Sequence, residues 1–145
     1  MEARFDGFPL TYIPLRNAIF YSFAASYAEE AGARYLVGGH NRGDPRTFRD
    51  AGGAFLGNME RALRSGSAAL DEGGLRILRP LERMTKPQVV RLAARVGVPF
   101  QLTWSCHSEG PRHCWRCGGC RTRVEAFRKA GVADPLRTRI PRKVS

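Results

Sequence analysis

Apolar and polar residues alternate with the period of a helix between Leu15 and Ala31. One face of this segment carries the acidic residues Glu29 and Glu30. The opposite face carries the apolar side chains of Ile19, Phe20, Phe23, Ala24, Tyr27 and Ala31. We therefore predict a helix over 15–31, and Gly32 is expected to terminate it.

A second helix is predicted around Phe55, Met59 and Leu63, which are spaced four residues apart. A third helix is predicted from Lys86 to Val96. Thr85 and Gln88 have the spacing of a capping box, and Pro87 is tolerated in a first turn. The apolar positions expected to face the core are Val89, Leu92, Ala93 and Val96. Gly97 can end this helix in the left-handed conformation, as Gly131 can end a fourth helix from Arg121 to Ala130.

Two short β-prone runs lie between these helices, at 34–37 and 75–78. The first stops at Gly38 and Gly39, and the second follows a Gly- and Ser-rich loop over 65–74. Alternating helices and strands with short connections predict an α/β fold with a parallel sheet covered by helices. We expect one α/β domain over 1–136 and a basic, flexible tail over 137–145.

The loop that follows the first strand, 38–44, is the leading candidate for ligand binding. In parallel α/β sheets, ligands bind beyond the carboxyl ends of the strands. The loop contains His40, Asn41, Arg42 and Asp44, which supply donors, acceptors and both signs of charge.

The composition of the chain predicts its location in the cell and the class of its partners. At 145 residues with 43% hydrophobic content, the chain can bury a core. It has neither a membrane-spanning run nor the apolar segment of a signal peptide, so we expect a soluble, cytoplasmic protein. The 24 Lys and Arg outnumber the 13 Asp and Glu, giving a formal charge of +11. Polyanions such as nucleic acids are natural partners for this charge, although genomic GC content or a hot habitat also enriches arginine.

All four cysteines of the chain fall within fifteen residues: Cys106, Cys114, Cys117 and Cys120. In a reducing compartment, clustered cysteines more often bind metal than form disulfides. Two-residue spacers let neighbouring thiolates converge, and Gly118 and Gly119 allow the backbone to turn between them. Four thiolates close a tetrahedral coordination sphere, so the pattern predicts a structural metal ion, with zinc as the first choice.

Three alternatives remain open for this cluster. An iron–sulfur cluster also uses cysteines with two-residue spacing. His107 or His113 could replace one thiolate as a ligand, and a redox-active thiol pair is the third alternative.

Several motifs in order make the chain similar to one family. Residues 12–17, Y-I-P-L-R-N, resemble Y-V-P-G-R-N, with Leu15 in place of the usual glycine. Residues 39–44 resemble G-V-N-x-x-D. Further matching positions are Phe48, Asp50, Phe55, Pro80, Leu81, Lys86, residues 103–106, Arg123, Ala126, Phe127, Gly131, Asp134 and Pro135. The chain thus resembles the 7-cyano-7-deazaguanine synthases of queuosine and archaeosine biosynthesis, in the PP-loop ATP pyrophosphatase superfamily.

The resemblance implies a partial Rossmann-like sheet, a structural zinc on the four cysteines, and an ATP-dependent ligase reaction. In that family, 7-carboxy-7-deazaguanine and ammonia become 7-cyano-7-deazaguanine, with ATP and magnesium as cosubstrates. Arg16 or Lys86 could bind anionic oxygens as catalytic candidates. The other candidates for substrate binding are Asn17, Asn41, Asp44 and Asp50.

One family motif has no counterpart here. Family members begin with a strand followed by S-G-G-x-D-S, whose backbone amides hold the ATP pyrophosphate, and only eleven residues precede Tyr12. We expect an ATP-binding half on a second chain, or a homo-oligomer, to complete the enzyme through an exposed apolar edge. The alternative is a non-catalytic, zinc-stabilised subunit or a module that binds nucleic acid or a deazapurine.

Overall fold

The computed structural model describes residues 12–67 and 74–137. The chain divides into two compact units, Met1–Arg83 and Met84–Ser145. The predicted basic tail beyond Arg137 and most of the predicted loop over 65–74 lie outside the described residues.

The first unit is an α/β layer. Helix α1 (Arg16–Glu30) leads into strand β1 (Tyr35–Val37), and helix α2 (Gly53–Gly66) precedes strand β2 (Arg76–Leu78). The strands run parallel, with Leu36 opposite Ile77. Two short 3-10 turns, Asp44–Arg46 and Arg49–Ala51, connect β1 to α2. The predicted α/β fold class with a parallel sheet is confirmed.

The core of this unit lies between the sheet and the two helices. Leu56 of α2 and Leu75 before β2 are almost completely buried. They pack in clusters with Tyr21, Ala25, Ala28 and Ile77. Helix α1 thus presents small side chains and one tyrosine to the core. Small residues let a helix approach a sheet closely, which explains this choice of face.

The large apolar residues whose spacing predicts α1 lie on its solvent face instead. Phe23 is 81% exposed and Tyr27 69% exposed. The exposed apolar face of α1 comprises Ile19, Phe20, Phe23 and Tyr27, and Ile13 and Leu15, just before the helix, are exposed as well. On the sheet, Tyr35 and Val37 are also exposed. Parallel strands are normally covered on both faces, whereas Tyr35 and Val37 stay exposed on this face of the described sheet.

The second unit contains helix α3 (Lys86–Arg95), a 3-10 turn (Phe100–Leu102) and helix α4 (Gly118–Ala130). The predicted capping box is confirmed, because the backbone N–H of Thr85 donates to Oε1 of Gln88 at 2.8 Å. Arg91 of α3 donates to the carbonyl oxygens of Lys129 and Ala130. These bonds attach α3 to the carboxyl end of α4, where carbonyls lack helical partners.

Two predicted details of these helices are wrong. Val96 was expected to face the core but is 67% exposed. It is the C-cap of α3, outside the helical period, so its side chain no longer follows the inward face. Helix α4 begins three residues earlier than predicted, at Gly118, because the Sγ of Cys117 accepts the N–H of Cys120 and caps the helix.

A buried ion pair holds the carboxyl end of the second unit. Arg123 binds Asp134 through two hydrogen bonds of 2.6 and 2.8 Å, and both side chains are under 5% exposed. The same guanidinium donates to Oγ1 of Thr103 at 2.7 Å. Phe100 packs edge-on against Phe127, with ring centroids 4.8 Å apart. Among the described residues, no helix has the length and apolarity needed to cross a membrane.

Candidate functional site

The four cysteine sulfurs converge in the second unit. The Sγ atoms of Cys106, Cys114, Cys117 and Cys120 all lie within 4.8 Å of one another. The Sγ atoms of Cys106 and Cys117 are 4.0 Å apart, and none of the cysteines forms a disulfide. With metal–sulfur bonds of about 2.3 Å, tetrahedral zinc separates its ligand sulfurs by about 3.8 Å. The cluster therefore fits a four-coordinate metal ion.

Backbone amides point at these sulfurs. Cys106 accepts the N–H groups of Ser108 and Cys114 at 3.4 and 3.3 Å. Cys114 accepts the N–H groups of Arg116 and Cys117 at 3.4 and 3.3 Å. Cys117 accepts those of His107 and Cys120 at 3.4 and 3.5 Å. Such bonds stabilise thiolates, the form of cysteine that binds metal.

The sulfurs differ in their environments. Hydrogen bonds from the backbone of Arg116 and Cys117 lower the pKa of Cys114 to about 5. Burial opposes ionisation at Cys117, but the backbone N–H groups of His107 and Cys120 lower its pKa on balance. At Cys120, burial raises the pKa to about 12. A divalent cation would supply the charge that the buried Cys120 thiolate needs.

The two histidines next to the cysteines do not join the cluster. His113 is buried between Trp104 and Trp115, with ring centroids 4.3 and 5.0 Å away. Its Nε2 accepts the backbone N–H of Ser105 at 3.0 Å. His107 is exposed, and the ligand group found among the described residues consists of the four cysteines. The alternative in which a histidine replaces a thiolate is not supported.

Gly119 is required by a close approach of the backbone. A Cβ at this position would collide with the carbonyl oxygen of Ser105. The sequence analysis expects Gly118 and Gly119 to allow a backbone turn; in the structure both lie in the first turn of α4, and Gly119 is needed for its contact with Ser105.

The polar loop after β1 is held by its own side chains. Oδ2 of Asp44 accepts hydrogen bonds from the backbone N–H and Nδ2 of Asn41, at 2.9 and 2.7 Å. Oδ1 of Asn41 accepts the N–H of Gly43 at 2.9 Å. The backbone N–H of Gly38 donates to the carbonyl of Leu78, which fixes the start of the loop at the end of the sheet. Asn41 and Asp44 are thus brought together.

A second polar contact lies at the start of α1. Oδ2 of Asp50 accepts the backbone N–H of Asn17 at 2.9 Å, and both residues are buried. The structure brings these two predicted residues together as well. It places Tyr21 Oη 3.0 Å from Nε2 of His40, a pair that the sequence analysis missed. The signal was available, because Tyr21 follows Asn17 by one helical turn on the same face of α1.

The two basic candidates have different surroundings. The guanidinium of Arg16 lies over the ring of Phe48, 5.6 Å from its centroid, and the ring of Phe48 stacks on Tyr12. No described carboxylate forms an ion pair with Arg16. Lys86 is exposed at the first position of α3, in the other unit.

An α/β layer with a parallel sheet, followed along the chain by a four-sulfur cluster, defines the class: an α/β protein with a candidate metal centre. The model of the family described as Queuosine biosynthesis protein QueC matches residues 1–131. The chain belongs to this family, as its motifs predict.

Curated relatives agree with the family match. The chain is 37% identical over 136 residues to the 7-cyano-7-deazaguanine synthase of Thermoplasma acidophilum, covering 94% of this chain and 57% of the relative. It is 40% identical over 137 residues to that of a Cyanothece species, covering 90% and 60%. For Stutzerimonas stutzeri, the identity is 40% over 139 residues, covering 94% and 62%. The matched region thus spans about three fifths of the length of these relatives.

Proposed function

We propose that this chain acts as the carboxyl-terminal part of a 7-cyano-7-deazaguanine synthase and contributes its deazaguanine site and zinc centre. The observation that carries the proposal is the single family match over 1–131, which includes both the polar loop and the cysteine cluster. A separate zinc protein or a separate loop protein would match over one of these regions only.

The proposed reaction turns a carboxylate into a nitrile. The carboxylate of the substrate, 7-carboxy-7-deazaguanine, is a poor electrophile. ATP therefore first adenylates this carboxylate, and pyrophosphate is released. Ammonia displaces AMP to form the amide. A second adenylation takes the amide oxygen, and loss of AMP leaves the nitrile. Such a reaction depends on holding anionic oxygens and excluding water from the acyl adenylate.

We assign Arg16 to an anionic oxygen of the substrate or nucleotide. The residue is half-buried beside Phe48, and no carboxylate within 12–67 or 74–137 forms an ion pair with it. Asn41 and Asp44 would present the loop to the purine-like ring, while Asn17 and Asp50 would fix the start of α1. Lys86 remains a second candidate for anion binding.

The four cysteines would hold zinc in a structural role. Four thiolates fill a tetrahedral site and leave no position open for a reacting water, which distinguishes this centre from catalytic zinc sites. When bound, the ion supplies folding free energy to the segment before α4.

An ATP-binding half on a second chain is the partner that we propose. The exposed apolar face of α1, with Phe23 at its centre, supports association with a protein surface. The exposed side chains of Tyr35 and Val37 on the sheet support the same proposal. A second copy of this chain is the competing occupant.

The proposal is tested by reconstitution. The purified chain is mixed with the separately expressed amino-terminal half of a relative, the carboxy-deazaguanine, ATP, magnesium and ammonium, and the nitrile and AMP are measured by mass spectrometry. We expect product in the mixture and none from either half alone. The positive control is the relative divided into its own two halves. Product from that control, with none from the mixture at any stoichiometry, would overturn the proposal.

Two variants make the assignment specific. Arg16→Ala should lower the rate at least tenfold, since it removes a charge-assisted contact of about 1.5–3 kcal/mol. The matched control is Arg34→Ala, an exposed arginine of the same unit outside the polar loop. Phe23→Ser should weaken association with the amino-terminal half in sedimentation velocity. Self-association that Phe23→Ser abolishes would point to a second copy instead.

A further inference from the structure

The positive charge of the protein is concentrated in one of its two units. Residues 84–145 contain 13 Lys and Arg against 3 Asp and Glu, a formal charge of +10. Residues 1–83 contain 11 against 10, a formal charge of +1. Even with four thiolates around a divalent cation, the second unit keeps most of the charge. A partition of this kind localises the electrostatic attraction for polyanions to the unit with the cysteine cluster.

Few of these charges are neutralised within the unit. Asp134 is occupied by Arg123, and Glu125 pairs with Arg128 and Lys129. Glu109 is then the remaining carboxylate of the described second unit. Seven exposed basic residues form no ion pair with a carboxylate of 84–137: Lys86, Arg91, Arg95, Arg112, Arg116, Arg121 and Arg137.

The same unit contains an aromatic stack, with one of these arginines against it. The His113 ring sits between Trp104 and Trp115, and the guanidinium of Arg137 lies 5.8 Å from the centroid of Trp115. Trp104 ends the stack and is 51% exposed. Its Nε1 donates to the carbonyl oxygen of Cys106 at 2.9 Å, so the ring is fixed to the cysteine cluster. A rigid, exposed indole loses little entropy when another ring stacks on it.

We propose that the second unit binds single-stranded nucleic acid, with a base stacked on Trp104 and phosphates on Arg112, Arg116 and Arg121. We call these four residues the Trp104 surface. In the sequence, Arg112 and Arg116 flank the segment 113–115, which contains two rings of the stack. Arg121 lies in the first turn of α4. Stacking aromatics beside arginines are the common means by which proteins hold unpaired bases. This role is separate from the proposed synthase reaction, for which the first unit would supply Arg16 and the polar loop.

Binding is measured with the metal-loaded full chain and a fluorescent twelve-nucleotide oligouridylate, by anisotropy between 50 and 200 mM salt. Oligothymidylate of the same length tests whether the 2′-hydroxyl matters, and a twelve-base-pair duplex tests the preference for unpaired bases. We expect affinity for both single strands to fall steeply with salt, with a log–log slope of about −0.7 for each phosphate contact. Equal or tighter binding of the duplex would overturn the proposal.

Two double variants distinguish binding through the Trp104 surface from nonspecific attraction caused by the total charge of the protein. Arg112→Glu with Arg121→Glu should weaken binding at least tenfold and reduce the salt slope by about 1.4, the value for two lost contacts. The matched control, Arg34→Glu with Arg61→Glu, makes the same change of total charge on exposed residues of the first unit. It should change affinity less than twofold. An equal loss in both pairs would reduce the binding to nonspecific attraction and reject the assignment.

The stacking contact has its own comparison. Trp104→Phe and Trp104→Leu both remove the Nε1 donor, but only the former keeps an aromatic face. We expect Trp104→Leu to bind at least fivefold more weakly than Trp104→Phe, with equal metal content in both. Equal affinities, or tighter binding of anionic lipid vesicles than of oligouridylate by the unaltered protein, would contradict the proposed surface.

Discussion

Asp50 caps helix α1 from 33 residues further along the chain, because its Oδ2 accepts the buried backbone N–H of Asn17 at 2.9 Å. The N-cap position itself is occupied by Leu15, whose side chain has no acceptor. The negative charge of a carboxylate at a helix amino terminus also interacts favourably with the helix dipole. The contact joins the 3-10 turn of Asp50 to the helix that carries Arg16.

Replacing this cap should destabilise the first unit. Asp50→Ala leaves the buried N–H of Asn17 without a partner, so we expect a loss of about 2 kcal/mol in the free energy of unfolding. Asp50→Asn retains an acceptor oxygen and should lose about half as much. Chemical denaturation of the purified variants measures both. Equal stability of Asp50→Ala and the unaltered chain would show that another group caps α1.

Leu15 occupies a backbone conformation suited to glycine. Its φ is 52° and its ψ 26°, the left-handed region. Such a conformation strains a leucine by about 1–2 kcal/mol, part of which glycine recovers after its larger entropy loss on folding. Leu15→Gly should therefore stabilise the chain by up to about 1 kcal/mol, measured as a rise in melting temperature. Leu15→Ala is the control, since it shortens the side chain but keeps a Cβ and the strain.

The cysteine centre should be necessary for the fold of the second unit. Cys117→Ser removes one thiolate from the candidate metal centre, while the serine hydroxyl can still accept the N–H that caps α4, so the variant should lose bound metal and melt at a lower temperature. Gly119→Ala should have the same effect without changing a ligand, because its Cβ would collide with Ser105. His107→Ala, an exposed neighbour, should keep full metal content. A coloured protein with bound iron would favour the iron–sulfur alternative over zinc.

The Arg123–Asp134 pair should make stability dependent on pH. Burial opposes the charge of Asp134, but the hydrogen bonds from Arg123 lower its pKa below the usual value. As the pH falls, Asp134 of the unfolded chain therefore binds a proton before Asp134 of the folded chain does. The contribution of the pair to the free energy of unfolding is complete above about pH 5 and is lost as the pH falls below about 4.

The matched variant isolates this contribution. Asp134→Asn should be destabilised by about 3–5 kcal/mol at pH 7, because it leaves a buried guanidinium without its charge partner. The difference from the unaltered chain should narrow as the pH falls from 5 to 3, since Asp134 of the unfolded, unaltered chain then binds a proton and the folded state loses its advantage. Denaturant unfolding at each pH gives both free energies. A difference that stays constant with pH would exclude the ion pair as its source.

The sequence predicts the helices and strands of this fold well, but not which helix face is buried. Helical spacing of Phe20, Phe23 and Tyr27 predicts α1, yet these residues are exposed and Tyr21 and Ala25 are buried. Periodicity identifies the faces of a helix, but both faces of α1 carry apolar side chains, so either could pack against the core. The burial of each depends on neighbours that local spacing does not specify.

The candidate site shows the same division. Two-residue spacing and short separation suffice to predict that four cysteines converge, because the ligands are close in the chain. The contact of Asn17 with Asp50 crosses 33 residues and depends on the path of two 3-10 turns. The position of His113 between two indoles likewise follows from a loop with no periodic pattern.

The parallel pairing of β1 with β2 also has a consequence for folding kinetics. Tyr35 pairs with Arg76, 41 positions later, so the sheet closes a long segment of chain. The sulfur cluster and α4 involve short separations and should assemble sooner during refolding. While the strands remain apart, the core side chains of Tyr21, Leu56 and Ile77 lack their packing partners and face water. We expect this slow interval to be the step at which misassembly competes with the native structure.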